Sequence, residues 1–388
     1  MKKYLWILLI ISLISFGTAC GMAEENKIKS KEKEIDEYNI LDFYMVDRGN
    51  GWAIAKEGVL TTVNKGKTWN NTNIKDEFLK SILASTTNGK NNRDKAYKFL
   101  DKNIAFIAYR KENNINIYKT IDRGKSWDKS VLGLKNFGKE KDYSIYIKVI
   151  DKDNVFVMLA AAKDKNSIEN SLYKTIDGGK SWSNIYNDNI PMEMESSSLL
   201  SSEKKIVTGV EFKNKNLGWY TTKASNTYPI VYKTKDGGVS WNLQKLQIPK
   251  GYENIKGALL STYPPVFTKS GKKVYLPVEL NNGKSSIIIF YKSINEGESW
   301  IPTIPIEMKP FIEIDYGIDG DGIIWIKDNS GNKIYRLQND DKDLQEIRSD
   351  IELKNKKIQF VNKNNGFMLI DNKIYTTKDK GITWKILR

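Results

Sequence analysis

Histidine is absent from the 388 residues, and cysteine occurs once, at Cys20. Without an imidazole no Ser-His-Asp or Cys-His relay can form, and the commonest metal ligand is missing. One thiol excludes an intramolecular disulfide and leaves no thiolate set for zinc. Arginine is also scarce, with only seven residues in a chain carrying 62 lysines and arginines. No Gly-rich phosphate loop is present. The apolar run Tyr4–Phe16 is too short to span a bilayer comfortably. Asp315, Asp319 and Asp321 have the look of a calcium loop but lack the glutamate that would close one. No metal and no cofactor is expected.

What the chain does have is a phrase that repeats. YKTID-x-GKSW stands at Tyr118–Trp127 and again at Tyr173–Trp182. Looser copies are Leu60–Trp69, Tyr232–Trp241, Tyr291–Trp300 and Tyr375–Trp384. The closing tryptophans are separated by 55–59 residues, except for one interval of 84. That long interval holds a worn copy, Tyr335–Leu344, with Leu344 in the tryptophan's place. The count is therefore seven units. A second landmark precedes each phrase: a β-rich run, a polar turn and an aromatic run, as in Phe43–Ala55 and Val210–Thr222. Each unit reads as four short antiparallel strands, with the phrase between the third and fourth. A fixed period of this length marks an array of one supersecondary unit. The expected fold is all-β, a seven-bladed β-propeller of four-stranded antiparallel blades over residues 40–388. An open β-solenoid is the alternative.

The phrase resembles the Asp-box, or BNR repeat, on Thr120, Asp122, Gly124, Ser126 and Trp127 and on the matching residues of later copies. These are Asp177, Gly179 and Trp182; Asp236, Gly238 and Trp241; and Asp379, Gly381 and Trp384. Asn64 (with Trp69) and Asn295 (with Trp300) take the aspartate's place in two copies. The aspartate is expected to accept backbone N–H groups and fix the turn, and the glycine to supply a positive φ. The tryptophan is expected to plug between strands. At about 150–250 Å² buried, each contributes up to roughly 4–6 kcal/mol. One active site needs no six copies around a ring, so the box is read as a turn staple. Together with the Gly51-Trp52, Gly218-Trp219 and Gly366-Phe367 phrases, the boxes look most like propellers of the photosystem II assembly-factor type. That resemblance implies a binding or assembly scaffold.

At the N-terminus, Lys2, Lys3 and the apolar run read as an export signal over residues 1–19. Gly17-Thr18-Ala19-Cys20 resembles a bacterial lipobox, with Cys20 as the lipid-bearing residue and Gly17 departing from the pattern. Cleavage after Ala23 without a lipid is the alternative. Residues 20–39 read as a charged tether or a solvated helix. The expected location is the outer side of the bacterial cytoplasmic membrane. The net charge of +15 comes from scattered lysines without a nucleic-acid motif. It gives general attraction to polyanions, not nucleic-acid binding.

Chain order puts the long loops on the face opposite the boxes, where binding is expected. The candidates there are Arg93, Arg110, Met192, Met194, Tyr228, Tyr252, Tyr263 and Arg348. The expected function is a monomeric, non-catalytic surface scaffold for a protein or glycan. A sialidase-like or other Asp-box glycosidase is the alternative. It would need an arginine clamp and a carboxylate pair, and Tyr38–Asp42 lacks the arginine that such enzymes carry before the first blade.

Overall fold

Alternating apolar residues and frequent polar turns favour short strands, and no α-helix occurs among the described residues. The computed structural model describes residues 33–34, 37–74, 96–134, 143–162, 168–187, 206–224, 228–253, 259–308, 315–328, 330–338 and 343–387. They belong to one unit, Glu32–Arg388. Cys20, Arg93, Met192 and Met194 lie outside the described residues, as does the expected export signal.

Sheet I contains β1 (Lys33–Glu34), β2 (Ile40–Met45), β3 (Gly51–Ala55), β4 (Gly58–Thr62) and β5 (Thr68–Asn71), in the order β1-β5-β4-β3-β2. Sheet II is β6 (Tyr97–Phe99), β7 (Ala105–Lys111), β8 (Asn114–Thr120) and β9 (Asp128–Gly133). Sheet III is β10 (Tyr143–Val149), β11 (Val155–Ala162), β12 (Ile168–Thr175) and β13 (Ser183–Asn187).

Sheet IV has ten strands in two halves. Half IVa is β14 (Ile206–Phe212), β15 (Gly218–Ala224), β16 (Ile230–Thr234) and β17 (Asn242–Lys245). Half IVb is β18 (Leu259–Thr262), β19 (Val266–Phe267), β20 (Val274–Asn281), β21 (Ser286–Ser293), β22 (Ile301–Pro302) and β23 (Ile306–Met308).

Sheet V is β24 (Asp315–Ile318), β25 (Ile324–Lys327), β26 (Lys333–Gln338) and β27 (Asp343–Arg348). Sheet VI is β28 (Lys357–Phe360), β29 (Gly366–Ile370), β30 (Lys373–Thr377) and β31 (Lys385–Ile386). Every described pairing is antiparallel, as in β7 with β8, where Ala105 faces Thr120 and Lys111 faces Asn114.

Two features depart from the expected pattern of separate four-stranded units. β15 runs on past β16 and pairs with β18, which joins the two halves of sheet IV. Thr262 secures the join, its hydroxyl lying within bonding distance of the Thr222 and Ile230 carbonyls, at 3.0 and 2.8 Å. The second departure is at the expected tether boundary. Lys33 and Glu34 add a strand to the open edge of β5, and Tyr38 is buried in the core. The folded unit therefore begins before residue 40.

In sheet I the second and third strands are buried on both faces, as the all-buried Gly51–Ala55 and Gly58–Thr62 show. The reason is that each sheet is covered by a neighbour on both sides. Seven hydrophobic clusters lie between successive sheets or half-sheets. One of them joins Phe43, Leu60 and Trp69 of sheet I to Phe367 and Ile374 of sheet VI, so the first sheet packs on the last. Gln359 clamps the same contact, accepting the Met45 N–H at 2.7 Å and donating to the Met45 carbonyl at 2.8 Å.

The tryptophans also differ from expectation. Each box tryptophan packs between neighbouring sheets, not between strands of its own sheet. Of the six, Trp69 and Trp384 are buried, and Trp127, Trp182, Trp241 and Trp300 are partly exposed. Trp52, Trp219 and Trp325, from second strands, are buried.

Candidate functional site

The box loops have one hydrogen-bond scheme. In sheet III the Thr175 hydroxyl donates to Asp177 Oδ1 at 2.7 Å and accepts the Gly179 N–H at 2.9 Å. Ser181 donates its N–H to Asp177 Oδ1 at 3.0 Å and its hydroxyl to Oδ2 at 2.5 Å. The same bonds recur around Asp122, Asp236 and Asp379. Where asparagine stands instead, its amide becomes the donor, from Asn64 to Thr68 and from Asn295 to Ser299. The hydroxyl rotates to suit, so either side chain holds the same turn.

Two successive residues take positive φ in each loop, such as Gly178 and Gly179 or Glu296 and Gly297. The glycine has a second duty that spacing alone did not show. It abuts the preceding sheet: a Cβ on Gly297 would lie 2.8 Å from Trp219 Nε1. Gly66, in sheet I, abuts Ile374 of sheet VI in the same manner.

Burial alone would raise the carboxyl of Asp236. Hydrogen bonds from Ser240 and Thr234 outweigh it and hold the pKa down to about 2. Burial is likewise outweighed by hydrogen bonds at Asp122 and Asp379, and the Ser181 bonds lower Asp177, so these carboxylates act as turn anchors. Thr175→Val removes the hydroxyl that satisfies the buried Gly179 N–H, with an expected loss of about 1–3 kcal/mol in denaturant unfolding. A loss below that range would mean the turn re-forms with water.

The worn copy behaves differently. Leu344 lies on β27 opposite Leu337 and is partly exposed. Asp319, one of the three acids of the calcium reading, is instead buried against Arg336, whose Nη2 lies 2.6 Å from Asp319 Oδ2. Asp315 faces Lys327, and Asp321 accepts the Lys363 N–H. No group of three or more acidic or thiol side chains among the described residues is placed to hold a metal ion.

The first strands of neighbouring sheets touch, β2 with β28, β6 with β10, β10 with β14 and β24 with β28. Charged groups on them are paired across sheets: Lys148 with Glu211, and Lys357 with Asp42, which also accepts the Tyr97 hydroxyl. Burial and the nearby Asp42 carboxylate push the Tyr97 hydroxyl well up. For Lys148, burial lowers the pKa despite the Glu211 carboxylate. These groups staple sheets together.

The expected ligand-face residues do not converge on one place. Arg110 is the penultimate residue of β7 and donates to the Glu112 carbonyl of its own hairpin at 2.9 Å. Arg348 is exposed at the end of β27 and pairs with Glu346 at 3.0 Å. Tyr263 is buried, its hydroxyl 2.7 Å from Glu279, so it packs the join within sheet IV instead of facing solvent. Tyr252 packs against the cluster between halves IVa and IVb.

Tyr228 does line a surface depression. A cavity of about 370 Å³ is bounded by Tyr228, Lys245, Leu246, Gln247, Ile248 and Glu253. The Lys245 ammonium lies 4.9 Å from the centre of the Tyr228 ring. A second depression of about 540 Å³ shares Lys245–Ile248 and continues to Trp300 and Pro302. Together they make a crevice along the extended segment 244–250. Sequence reading points to Tyr228 and to the long loop 246–263, but nothing in the Lys245–Ile248 run, where Leu246 is buried and Lys245 and Gln247 are exposed, marks a crevice. The carboxylate at the far end, Glu298, bonds to Lys233 at 2.7 Å and lies 2.9 Å from Lys235. The Lys233 and Lys235 bonds hold it down to about 2.

No protein-family model matches this sequence, and no curated protein does. Solved structures do match. YCF48 bound to D1 peptide superposes with a TM-score of 0.50 at 17% identity, covering 88% of this chain and 92% of that one. The fold is a β-propeller. YCF48 from Cyanidioschyzon merolae is similar with a TM-score of 0.47 at 15% identity, over 90% and 98% of the two chains. Virginiamycin B lyase from Staphylococcus aureus is similar with a TM-score of 0.48 at 11% identity, over 89% and 97%. At such identities the likeness extends to the propeller fold and not to an activity.

Proposed function

We propose that the chain is a seven-bladed propeller of Asp-box blades that binds an extended segment of a protein partner without catalysis. In this reading the halves of sheet IV are two blades, and the ring closes where sheet VI packs on sheet I. The observation that carries the binding role is the crevice along 244–250. Its length, about 20 Å at roughly 3.3 Å per residue, suits an extended peptide of similar length. The floor combines Leu246 and Ile248 with the Tyr228 ring, and Lys245 and Glu253 supply polar contacts. YCF48 carrying D1 peptide is a precedent for peptide binding by this fold.

A glycosidase reading gains little support from the same crevice. It would need a carboxyl kept protonated as the acid. Glu298 is held ionised by two lysines instead. We also propose that the chain is exported and held, as a monomer, by lipid on Cys20 at the outer side of the cytoplasmic membrane. Lys2, Lys3 and the apolar run before Cys20 support this.

The test places a photoreactive amino acid at the exposed Gln247 in the full-length protein in cells, with Lys129 on the outer strand β9 as the control. A discrete protein adduct from Gln247 alone, lost on Tyr228→Ala, is expected. Equal labelling from both positions, or an adduct indifferent to Tyr228→Ala, would remove the crevice as the site.

A further inference from the structure

Eleven large hydrophobic side chains are exposed among the described residues, and six of them stand on box loops. They are Val63, Ile121, Ile176, Val239, Ile294 and Ile382, at 48–70% exposure, one on each of the six intact boxes. Their placement follows a rule. In four loops the aliphatic residue precedes the Asp or Asn and a charged residue follows the glycine: Val63 with Lys67, Ile121 with Lys125, Ile176 with Lys180, and Ile294 with Glu298. In the other two loops the order is exchanged, Lys235 with Val239 and Lys378 with Ile382.

Isolated surface hydrophobics need no explanation. A tip kept at one per loop while it changes places with lysine is not scatter. The turn does not demand it either, because the hydroxyl, the Asp or Asn side chain and the glycine already fix the backbone.

The tips share a face. In five of the six box loops a backbone N–H bonds to the turn between the first two strands of its sheet, as Gly178 N–H does to the Asp153 carbonyl at 2.9 Å, and in the sixth Glu296 pairs instead with Lys213 of half IVa. Box ends also meet box ends across sheets. Arg123 reaches Asn50 at 3.3 Å, and Lys213 and Lys235 lie 2.6 and 2.9 Å from Glu296 and Glu298.

We infer that this face lies on an anionic lipid bilayer, with the aliphatic tips entering the headgroup boundary and the adjacent lysines meeting lipid phosphates. The inference rests on the closed-ring reading above, which sets the tips in one plane. Two features favour lipid over a protein partner. Protein interfaces concentrate aromatic residues and arginine at their centre and exclude lysine. Here the tips are all valine or isoleucine, and an exposed lysine accompanies five of the six. That pairing is what an interfacial membrane surface needs. Docking by this face would leave the opposite face, with its long loops, free for a partner.

The test uses the full chain with Cys20→Ala and a single environment-sensitive dye at Ile176→Cys, Ile294→Cys or Lys284→Cys. Lys284 is exposed in the hairpin between β20 and β21, away from the boxes. Vesicles are phosphatidylcholine, with or without about one-third phosphatidylglycerol. With the anionic vesicles, dyes at 176 and 294 are expected to shift to the blue and to be quenched about twofold by spin-labelled lipid, while the dye at 284 stays in water. Adding Ile121→Asp and Ile382→Asp, both at exposed positions, is expected to weaken vesicle affinity by about tenfold in the dye-labelled Ile294→Cys protein. Dyes at 176 and 294 that stay in water on both vesicles, or a shift at 284 instead, would overturn the inference and leave the tips to a protein partner. The ring reading has a separate readout in small-angle scattering, where a closed unit gives a radius of gyration of about 20 Å and an open arc a larger one.

Discussion

Arg336→Ala is expected to cost about 3–5 kcal/mol in unfolding by urea, with the slope of the transition unchanged. The guanidinium is 1% exposed and lies 4.9 Å from the centre of the Phe360 ring of sheet VI. Its partner Asp319 is equally buried and accepts the N–H groups of Asp321 and Ile323 at 2.9 and 3.0 Å. Truncating the arginine strands a carboxylate in a buried site between sheets V and VI. Burial raises the Asp319 pKa even with Arg336 beside it. An acid whose folded pKa is raised is least harmful when protonated, so stability attributed to it is lost as pH rises through that value. The deficit of the variant should therefore shrink as pH falls toward about 4. The pair Arg336→Met and Asp319→Asn keeps an acceptor for the turn and removes both charges, so it should recover most of the loss. A cost below about 1 kcal/mol for Arg336→Ala would mean that water reaches Asp319.

Trp219→Ala is the second large effect, again about 3–5 kcal/mol. The ring is fully buried between halves IVa and IVb, 6.4 Å from Trp300 in an edge-on pair and 5.8 Å from Phe267. Gly297 has no side chain to fill the cavity from the box side, and a Cβ built on it would lie 2.8 Å from Trp219 Nε1. Trp300 is partly exposed, so Trp300→Ala should cost less, about 2 kcal/mol. The double variant should show a coupling of about 0.5–1.5 kcal/mol, because the two rings face each other across one sheet contact. Additive losses would show that the two rings are held independently.

These two sites show where reading the chain stops. The boxes were legible because the hydrogen bonds that make them are local: Thr175, Asp177, Gly179 and Ser181 are within seven residues. The Gly-Trp phrase was legible for the same reason. That the two phrases interlock was not, since Trp219 and Trp300 are 81 positions apart and meet only when neighbouring sheets pack. Arg336 stood out even less. In the worn copy it takes the place of a box lysine, and nothing in Tyr335–Leu344 announces a partner at Asp319.

The candidate ligand residues were harder still. Chain order placed Tyr228, Tyr252 and Tyr263 on one side of their strands. Packing then decided that Tyr263 is buried against Glu279, Tyr252 supports a core cluster and Tyr228 edges a crevice. Exposure depends on neighbours that the strand pattern does not name.

The sequence by itself determined the all-β class, the run of short antiparallel strands and the turn chemistry, because each rests on contacts within a few residues. Only the tertiary structure decided which faces are buried, how the first sheet meets the last, that two units merge through β15 and β18, and that Lys33–Glu34 adds to sheet I. Those outcomes depend on sheet-to-sheet packing, which is a property of distant residues meeting and leaves no periodic mark along the chain.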